Sequence, residues 1–219
     1  MTKDRTAAHT GYGTVEKQHT TTMSSGQRPA AFRLLLIGER ELVEAWQTAF
    51  AGWGDAIELH EGRFQDRLGD FDALVSPGNS YGQMNGGIDG AISAAFPRVQ
   101  KAVWDVIAER HHGYQPVGTA EVVETGDERC LYLVHAPTMR IPMRLTGELD
   151  IAVHDAMWAA LLALERHGGR AKTLACPGLG TGYGAVSPAR AAQLMSAAYR
   201  LWRADADTPI SDREHALER

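Results

Sequence analysis

Short apolar runs alternate with longer segments of helical spacing along most of this chain, and this alternation constrains the fold more than any other feature. Residues 32–37 are almost continuously apolar, as in a strand that is buried on both faces. Residues 39–50 follow with apolar side chains at helical spacing. Elements that alternate in this way pack as layers. We therefore predict an α/β fold, a three-layer α/β/α sandwich, and expect one domain from 219 residues.

The later segments continue the alternation. Strands are predicted at residues 56–60, 73–76, 119–124, 130–136 and 173–176, with a turn at Gly126-Asp127. Helices are predicted at residues 89–96, 99–110, 149–167 and 187–202, the last of which starts at a capping Ser187 followed by Pro188. Four tryptophans fall on predicted helices and are expected in the core: Trp46, Trp104, Trp158 and Trp202.

The two ends of the chain differ in composition from its centre. Residues 1–30 are rich in Thr and His and are predicted to be a disordered tail. The domain is predicted to span residues 31–203, and residues 204–219 are predicted to be a fraying C-terminal tail. No segment resembles a signal peptide or a membrane span, so we expect a cytoplasmic protein without membrane contact.

Charge and cysteine spacing exclude some classes of function. A net charge of -5 and scattered arginines provide no basic field, so general nucleic-acid binding is not expected. Cys130 and Cys176 lie in apolar runs without the spacing of metal ligands, and we interpret them as buried reduced thiols. Neither a metal nor a cofactor is predicted, and a monomer is expected.

Two glycine-rich loops carry the predicted chemistry. Residues 76–90 read Ser-Pro-Gly-Asn-Ser-Tyr-Gly-Gln-Met-Asn-Gly-Gly-Ile-Asp-Gly, and residues 176–184 read Cys-Pro-Gly-Leu-Gly-Thr-Gly-Tyr-Gly. Each loop leaves the carboxyl end of a predicted strand and enters a helix, where ligands of open α/β sheets bind. Glycines let backbone N–H groups turn towards phosphate oxygens without a lysine. Tight turns would explain either loop alone, but two matched loops favour a diphosphate site.

These loops resemble the phosphate-binding and ribose-binding segments of the macro domain family. Asn79-Ser80 and residues 86–92 match the family pattern Asn-Ser, then Gly-Gly-Val-Asp-Gly-Ala-Ile. Residues 118–120 resemble its Thr-Gly-Glu-Ala strand entry, and residues 133–136 resemble its Val-Ile-His-Thr. Residues 180–184 resemble its Ser-Thr-Gly-x-Tyr-Gly loop. The four matches occur in the family's order.

The resemblance implies a mixed sheet between helices and a cleft for ADP-ribose or an ADP-ribosylated substrate. It implies that Asn79 contacts the distal ribose and that Asp89 positions a water that attacks the anomeric carbon. The bond broken would join ADP-ribose to a protein carboxylate, a phosphate or an acetyl group, and we predict this hydrolysis as the function. The simpler alternatives are a helix cap for Asp89 and a loop-forming side chain for Asn79. The further residues implied to bind the ligand are Ser80, Asn85, Gly86, Gly87, Ile88, Gly180, Thr181, Gly182, Tyr183 and Gly184.

The chain departs from the family pattern in three places. The family has Gly-Asp after an early strand, and its aspartate accepts from the adenine amino group, whereas this chain has Gly62-Arg63. Three alternatives remain. Arg63 stacks on the base or contacts phosphate, Glu61 or Asp66 replaces the aspartate as the acceptor, or the ligand carries a different base. In the first loop, Met84-Asn85 replaces glycines and residues 76–78 replace Asn-Ala-Ala, which makes the loop bulkier and stiffer.

Several rival functions remain open at this point. A binding module without catalysis shares every feature above except a productive water. Residues 78–82 form a Gly-x-Ser-x-Gly pattern, so a serine hydrolase would use Ser80 with His135, His154 or His167, although no helix follows the serine directly. Gly178, Gly180 and Gly182 could form a Rossmann fingerprint, but too little chain follows them for the βαβ unit that this fold requires. A variant of the macro domain family uses a lysine to form a covalent sugar intermediate, but this chain has no lysine in the first loop or in the strand before it. We interpret His135 as a satisfied buried histidine.

Overall fold

The computed structural model describes residues 30–168 and 171–204. Within this part of the chain the strands are β1 (Arg33–Gly38), β2 (Ile57–Glu61), β3 (Ala73–Ser76), β4 (Glu121–Asp127), β5 (Cys130–His135) and β6 (Thr173–Cys176). The helices are α1 (Arg40–Ala49), α2 (Gly87–Ala95), α3 (Val99–His111), α4 (Ala152–His167) and α5 (Pro188–Arg203). The predicted tails, apart from Ala30 and Ala204, lie outside the described residues.

The strands form one mixed sheet in the order β2-β1-β6-β3-β5-β4. β4 pairs antiparallel with β5, and every other neighbouring pair is parallel. The central strands are apolar on both faces, which is the pattern expected where helices cover both sides of a sheet.

Helices cover both faces of this sheet. One apolar cluster joins the sheet to α1, α4 and α5 and includes the fully buried Trp46, Met157 and Trp202. The other joins the opposite face to α2 and α3 and includes Ile92 and Ile107. These two clusters confirm the predicted three-layer α/β/α sandwich.

Three local predictions were wrong. The hairpin turn lies at residues 128–129 and not at the predicted Gly126-Asp127. Gly126 takes a positive φ of 75° inside β4, which continues past it to Asp127 with an irregular register. The predicted fourth helix begins as a 3-10 segment at Gly147–Ile151 and becomes α-helical at Ala152. Trp104 is 51% exposed on α3 and does not belong to the core.

The predicted start of α5 and the predicted burial of both cysteines were confirmed. The hydroxyl of Ser187 accepts from the N–H of Arg190 at 3.3 Å, with Pro188 at the first helical position of α5. Cys130 and Cys176 are free and buried, and burial raises the pKa of the Cys130 thiol to about 12. None of the described helices combines the length and apolar character needed to span a membrane.

The sheet order places the two glycine-rich loops side by side. β3 and β6 are parallel neighbours, so their carboxyl ends meet at the same edge of the sheet. The first loop leaves β3 at Ser76, and the second leaves β6 at Cys176. Ligands of open α/β sheets bind at this edge, so the space between the loops is the candidate site.

Candidate functional site

A cleft of two adjoining cavities runs along the carboxyl edge of the sheet. The inner cavity, of about 110 Å³, lies between the two loops, and the outer cavity, of about 790 Å³, extends towards β1 and β2. Both are lined by residues of the two loops, namely Gly87, Ile88, Gly178 and Gly182. A ligand in this cleft would therefore contact both loops at its middle.

The second loop offers a run of unpaired backbone donors. Among the described residues, no atom accepts a hydrogen bond from the N–H groups of residues 179–184. The loop is closed behind them, because the N–H of Val186 donates to the carbonyl of Gly180 and that of Ala185 donates to Gly182. Consecutive N–H groups of this kind form a concave site for an anion.

Glycine is required at particular points of this loop. Gly180 has a φ of 71°, and a Cβ there would lie 2.7 Å from Val153. A Cβ on Gly184 would collide with the carbonyl of Gly180, which is backbone and cannot move aside. Gly182 differs from both, since a Cβ there would meet nothing within 4 Å. Gly182 therefore borders open space at the junction of the two cavities.

The first loop is organised by the side chain of Asn79. Its Oδ1 accepts from the N–H groups of Tyr81 (3.1 Å) and Gln83 (3.4 Å), and its Nδ2 donates to the carbonyl of Gln83 at 3.1 Å. One N–H of the amide has no partner among the described residues, and Asn79 lines the inner cavity. Asn79 thus both forms the loop and offers a donor to the cleft.

The N-terminus of α2 supplies further donors. The N–H groups of residues 85–89 donate to no atom in the described part of the chain. Asn85, Gly86, Gly87 and Ile88, which were predicted to bind the ligand, line the inner cavity. Helix N-termini attract anions, so both loops that border the inner cavity contain backbone donors without a partner among the described residues.

Asp89 lies in the first turn of α2 and is only 7% exposed. Ser76, the last residue of β3, donates its hydroxyl to Oδ1 of Asp89 at 2.8 Å. Burial raises the pKa of Asp89 to about 6, and the hydrogen bond from Ser76 opposes this rise. The carboxyl group lines the inner cavity and can exchange a proton near neutral pH.

Ser80 does not line either cavity. Its side chain is fully buried, its hydroxyl donates to the carbonyl of Met139 at 3.4 Å, and its N–H donates to the same carbonyl at 3.0 Å. No histidine of the described chain is hydrogen-bonded to it. The structure therefore corrects the expectation that Ser80 contacts a ligand, and it gives no support to Ser80 as a nucleophile.

Tyr183 joins the two loops at the mouth of the inner cavity. Its side chain is 65% exposed, and its hydroxyl would lie 3.4 Å from a Cβ on Gly86. Gly86 therefore leaves room for the ring to cross from the second loop to the first. Gly180, Gly184 and Tyr183 all line the inner cavity, while Thr181 lines the outer one.

Arg63 lines the outer cavity, but Glu61 and Asp66, the two candidates to replace the family's adenine-binding aspartate, do not. Glu61 pairs with Arg40 at 3.4 Å, and Asp66 accepts from the backbone N–H of Arg63 at 3.2 Å. Neither lines the cavity, whereas Glu39 and Glu41 at the start of α1 do. The Arg63 side chain has no charged partner among the described residues.

Sequence reasoning missed the segment that follows β5. Thr138 donates its N–H to the carbonyl of Gly78 and its hydroxyl to the carbonyl of Pro77, both at 3.1 Å. Thr138, Met139 and Pro142 line the inner cavity. β5 is the parallel neighbour of β3, so its carboxyl end lies at the same edge of the sheet as the first loop. The segment after β5 could therefore have been predicted to line the cavity.

Comparison with known proteins identifies the family. The model of the Macro domain family matches residues 75–195, which is more than half of the chain and includes both glycine-rich loops. The chain belongs to the macro domain family. This macro domain is 33% identical over 132 residues to an uncharacterized protein of Aquifex aeolicus, covering 58% of this chain and 71% of that one. A protein of Aeropyrum pernix is 31% identical over 135 residues, covering 60% and 65%.

Solved macrodomains share the fold of this macro domain at low sequence identity. The macrodomain of Mycobacterium tuberculosis DarG has a TM-score of 0.53 and 20% identity, covering 64% of this chain and 88% of its own. An Oceanobacillus iheyensis macrodomain with ADP has a TM-score of 0.51 and 17% identity, covering 58% and 67%. A mutant of that macrodomain with ADPR has a TM-score of 0.54 and 14% identity, covering 88% and 96%. The low identity identifies a divergent member.

Proposed function

We propose that this macro domain binds ADP-ribose with its diphosphate between the two glycine-rich loops. The unpaired N–H groups of residues 179–184 and 85–89 support this placement, because they offer donors from both sides of the cleft. The distal ribose would occupy the inner cavity beside Asn79 and Asp89, and the adenosine would occupy the outer one. Macrodomains with bound ADP and ADPR share the fold, which supports this class of ligand.

We further propose that the protein hydrolyses ADP-ribosyl bonds, with Asp89 as the catalytic base. The observation that carries this proposal is the buried carboxyl group of Asp89, which lines the inner cavity. Burial raises the pKa of this group to about 6. A base of this strength accepts a proton from an attacking water at neutral pH. The water oxygen bonds to the anomeric carbon, and the leaving group departs with the electron pair of the broken bond.

Asn79 supports the reaction by holding the distal ribose. Three hydrogen bonds to its own loop fix the amide before any ligand arrives. Its remaining N–H is the donor proposed for a ribose hydroxyl, which would keep the anomeric carbon close to Asp89. Tyr183 would cover the opposite side of the ribose, since it crosses the mouth of the inner cavity.

The rate of hydrolysis should rise with pH as the carboxyl group of Asp89 loses its proton. The ionised carboxylate is the base, so kcat/KM is expected to be about tenfold lower one pH unit below a pKa of about 6 than on the plateau above it. A carboxyl group with the ordinary value of 3.8 would already be on the plateau. Hydrolysis of acetylated ADP-ribose, measured across this range, checks the prediction.

Ser76→Ala provides the matched variant for this pH profile. Ser76 stabilises the charged form of Asp89, so its removal should raise the pKa and move the acid limb to higher pH. Alanine fits the fully buried position of the serine. A profile that is flat through this range in the wild type, or unmoved in the variant, would show that another group acts as the base.

Ser80→Ala distinguishes this mechanism from a serine hydrolase. Because the Ser80 hydroxyl is buried and bonded to a carbonyl, we expect hydrolysis to stay within about twofold of the wild-type rate. Loss of activity, in a variant whose thermal unfolding is unchanged, would restore Ser80 as a nucleophile. The same assay of acetylated ADP-ribose serves for both variants.

A further inference from the structure

Residues 140–144 form an exposed segment whose two ends are fixed to the two glycine-rich loops. At its start, the carbonyl of Met139 accepts from the N–H of Ser80 in the first loop at 3.0 Å. At its end, the N–H of Leu145 donates to the carbonyl of Gly184 in the second loop at 2.8 Å. Met139 and Leu145 are buried, whereas all five residues between them are exposed. The segment therefore joins the two loops across the surface of the protein.

Segment 140–144 lies at the mouth of the inner cavity. Pro142, at its centre, lines this cavity together with Asn79 and Tyr183. Neither Pro142 nor Tyr183 lines the outer cavity, where the adenosine is proposed to bind. The group attached to the distal ribose would therefore leave the cavity at the end that Pro142 and Tyr183 border. This places segment 140–144 next to the substrate to which ADP-ribose is joined.

The backbone of segment 140–144 is unpaired. In the described part of the chain, its N–H and carbonyl groups make no hydrogen bond, and it belongs to no helix or strand. Because Pro142 has no N–H, four donors and five carbonyl acceptors are available. Exposed backbone groups of both kinds can pair with the backbone of an extended peptide.

Two arginines at the ends of the segment carry unpaired positive charge. Arg140 and Arg144 are exposed, and no described residue forms an ion pair or hydrogen bond with either side chain. The next acidic residues along the chain are Glu148 and Asp150, and Arg190 already pairs with Asp150 at 2.8 Å. The whole chain has a net charge of -5, so this positive charge is a local feature. Its complement is an acidic partner.

Apolar side chains lie between the two arginines. Ile141 is 56% exposed and Met143 is 36% exposed. Two further exposed apolar residues, Leu149 and Ile151, follow on the 3-10 segment. Neighbouring apolar side chains that are exposed to water gain free energy when a partner covers them. The complement of segment 140–144 thus has apolar as well as acidic side chains.

We propose that segment 140–144 docks an acidic peptide stretch of an ADP-ribosylated protein. Arg140 and Arg144 pair with carboxylates on either side of the modified residue, and Ile141 and Met143 cover its apolar neighbours. Because the residues of such a stretch are mainly Asp and Glu, the substrate class is a protein that carries ADP-ribose on a carboxyl group. The proposal deepens the proposed function, rests on it for the position of the ribose, and adds no chemical step.

A peptide fits this surface better than a nucleic-acid strand does. Phosphates would pair with the arginines and with the N–H groups but would leave the carbonyl groups of the segment unpaired. Single strands also require aromatic faces on which successive bases stack. Segment 140–144 contains no aromatic residue. A peptide backbone, in contrast, offers donors as well as acceptors.

Calorimetry with a modified peptide tests the docking surface. The probe is a short peptide in which Glu alternates with Leu and whose central side chain carries ADP-ribose through an amide in place of the ester, so that binding is measured without cleavage. We expect the wild-type protein to bind this probe about five- to tenfold more tightly than ADP-ribose alone, from two exposed ion pairs. Added salt should reduce the gain, and Gln in place of the unmodified Glu residues should remove most of it.

A double variant assigns this gain to the two arginines. Arg140→Gln/Arg144→Gln should lose most of the gain while its affinity for ADP-ribose alone stays within about twofold of the wild type. Lys101→Gln/Arg166→Gln is the matched control, because it removes the same charge from two exposed positions outside both cavities of the cleft. The control should bind the probe as tightly as the wild type.

Several results would overturn the docking proposal. One is a wild type that binds the probe no more tightly than ADP-ribose, and another is an equal loss in the two double variants. Tighter binding of an ADP-ribosylated oligonucleotide than of the peptide would assign the arginines to phosphates instead. Failure of the proposed function would look different, because the wild type would then not bind ADP-ribose alone, and the docking proposal would fall with it.

Discussion

Asp89→Asn is expected to lower the rate of ADP-ribosyl hydrolysis by at least about 100-fold while ADP-ribose still binds. Asparagine has nearly the shape of aspartate but cannot accept the proton of the attacking water, and loss of a general base costs about 100- to 10,000-fold. The hydroxyl of Ser76 can still donate to the amide oxygen, so the local packing should persist. Single-turnover hydrolysis of ADP-ribosylated protein and calorimetric titration with ADP-ribose measure the two effects separately.

Asp105→Asn is the matched control for this substitution. Asp105 lies on the exposed side of α3 and pairs with Lys101 at 2.5 Å, away from both cavities. Its replacement should leave hydrolysis at the wild-type rate. Full activity in Asp89→Asn would remove Asp89 as the base. A wild type that binds ADP-ribose but never releases the leaving group would instead identify a binding module, and the hydrolytic proposal would be withdrawn.

Gly182→Glu is expected to weaken ADP-ribose binding by at least about 100-fold without unfolding the protein. Because a Cβ on Gly182 would meet nothing within 4 Å, the backbone can accept the new residue. Its carboxylate would extend into the junction of the two cavities, where the diphosphate is proposed to bind. Like charges in a shared site repel, and the side chain would also fill space needed by the ligand. Calorimetry and thermal unfolding measure affinity and fold.

Two further variants separate charge from position. Gln47→Glu adds the same charge on the exposed face of α1, outside both cavities, and should not change affinity. Gly182→Ala adds only a methyl group and should cost much less affinity than glutamate. Normal binding by Gly182→Glu would show that the diphosphate does not cross this junction, and the proposed placement of the ligand would then be wrong.

The sequence was sufficient to predict the fold because its signals were local. Continuous apolar runs predicted β1, β3 and β6, and Ser187-Pro188 predicted the start of α5. The hairpin turn was misplaced, since Gly126 is a turn-forming residue that here sits inside β4. Trp104 was misplaced because α3 exposes it, which helical spacing alone did not indicate.

The site was predictable only where backbone chemistry defines it. The glycines of both loops and the position of Asp89 could be read from residue type and order. Ser80 was assigned to the ligand because it follows Asn79, but its side chain points into the protein and bonds to Met139. The surroundings of His135 required tertiary information, because the contact of its Nδ1 with Gln115 and the lack of a partner for its buried Nε2 among the described residues depend on the folded chain.

The most direct test of the proposed ligand is a calorimetric titration of the wild-type protein with ADP-ribose, alongside ADP and AMP. We expect one site that binds ADP-ribose more tightly than ADP, because only ADP-ribose places a distal ribose in the inner cavity beside Asn79 and Asp89. ADP should in turn bind more tightly than AMP, since AMP lacks the second phosphate. No detectable binding of ADP-ribose by the folded protein would contradict the assignment of this cleft to ADP-ribose.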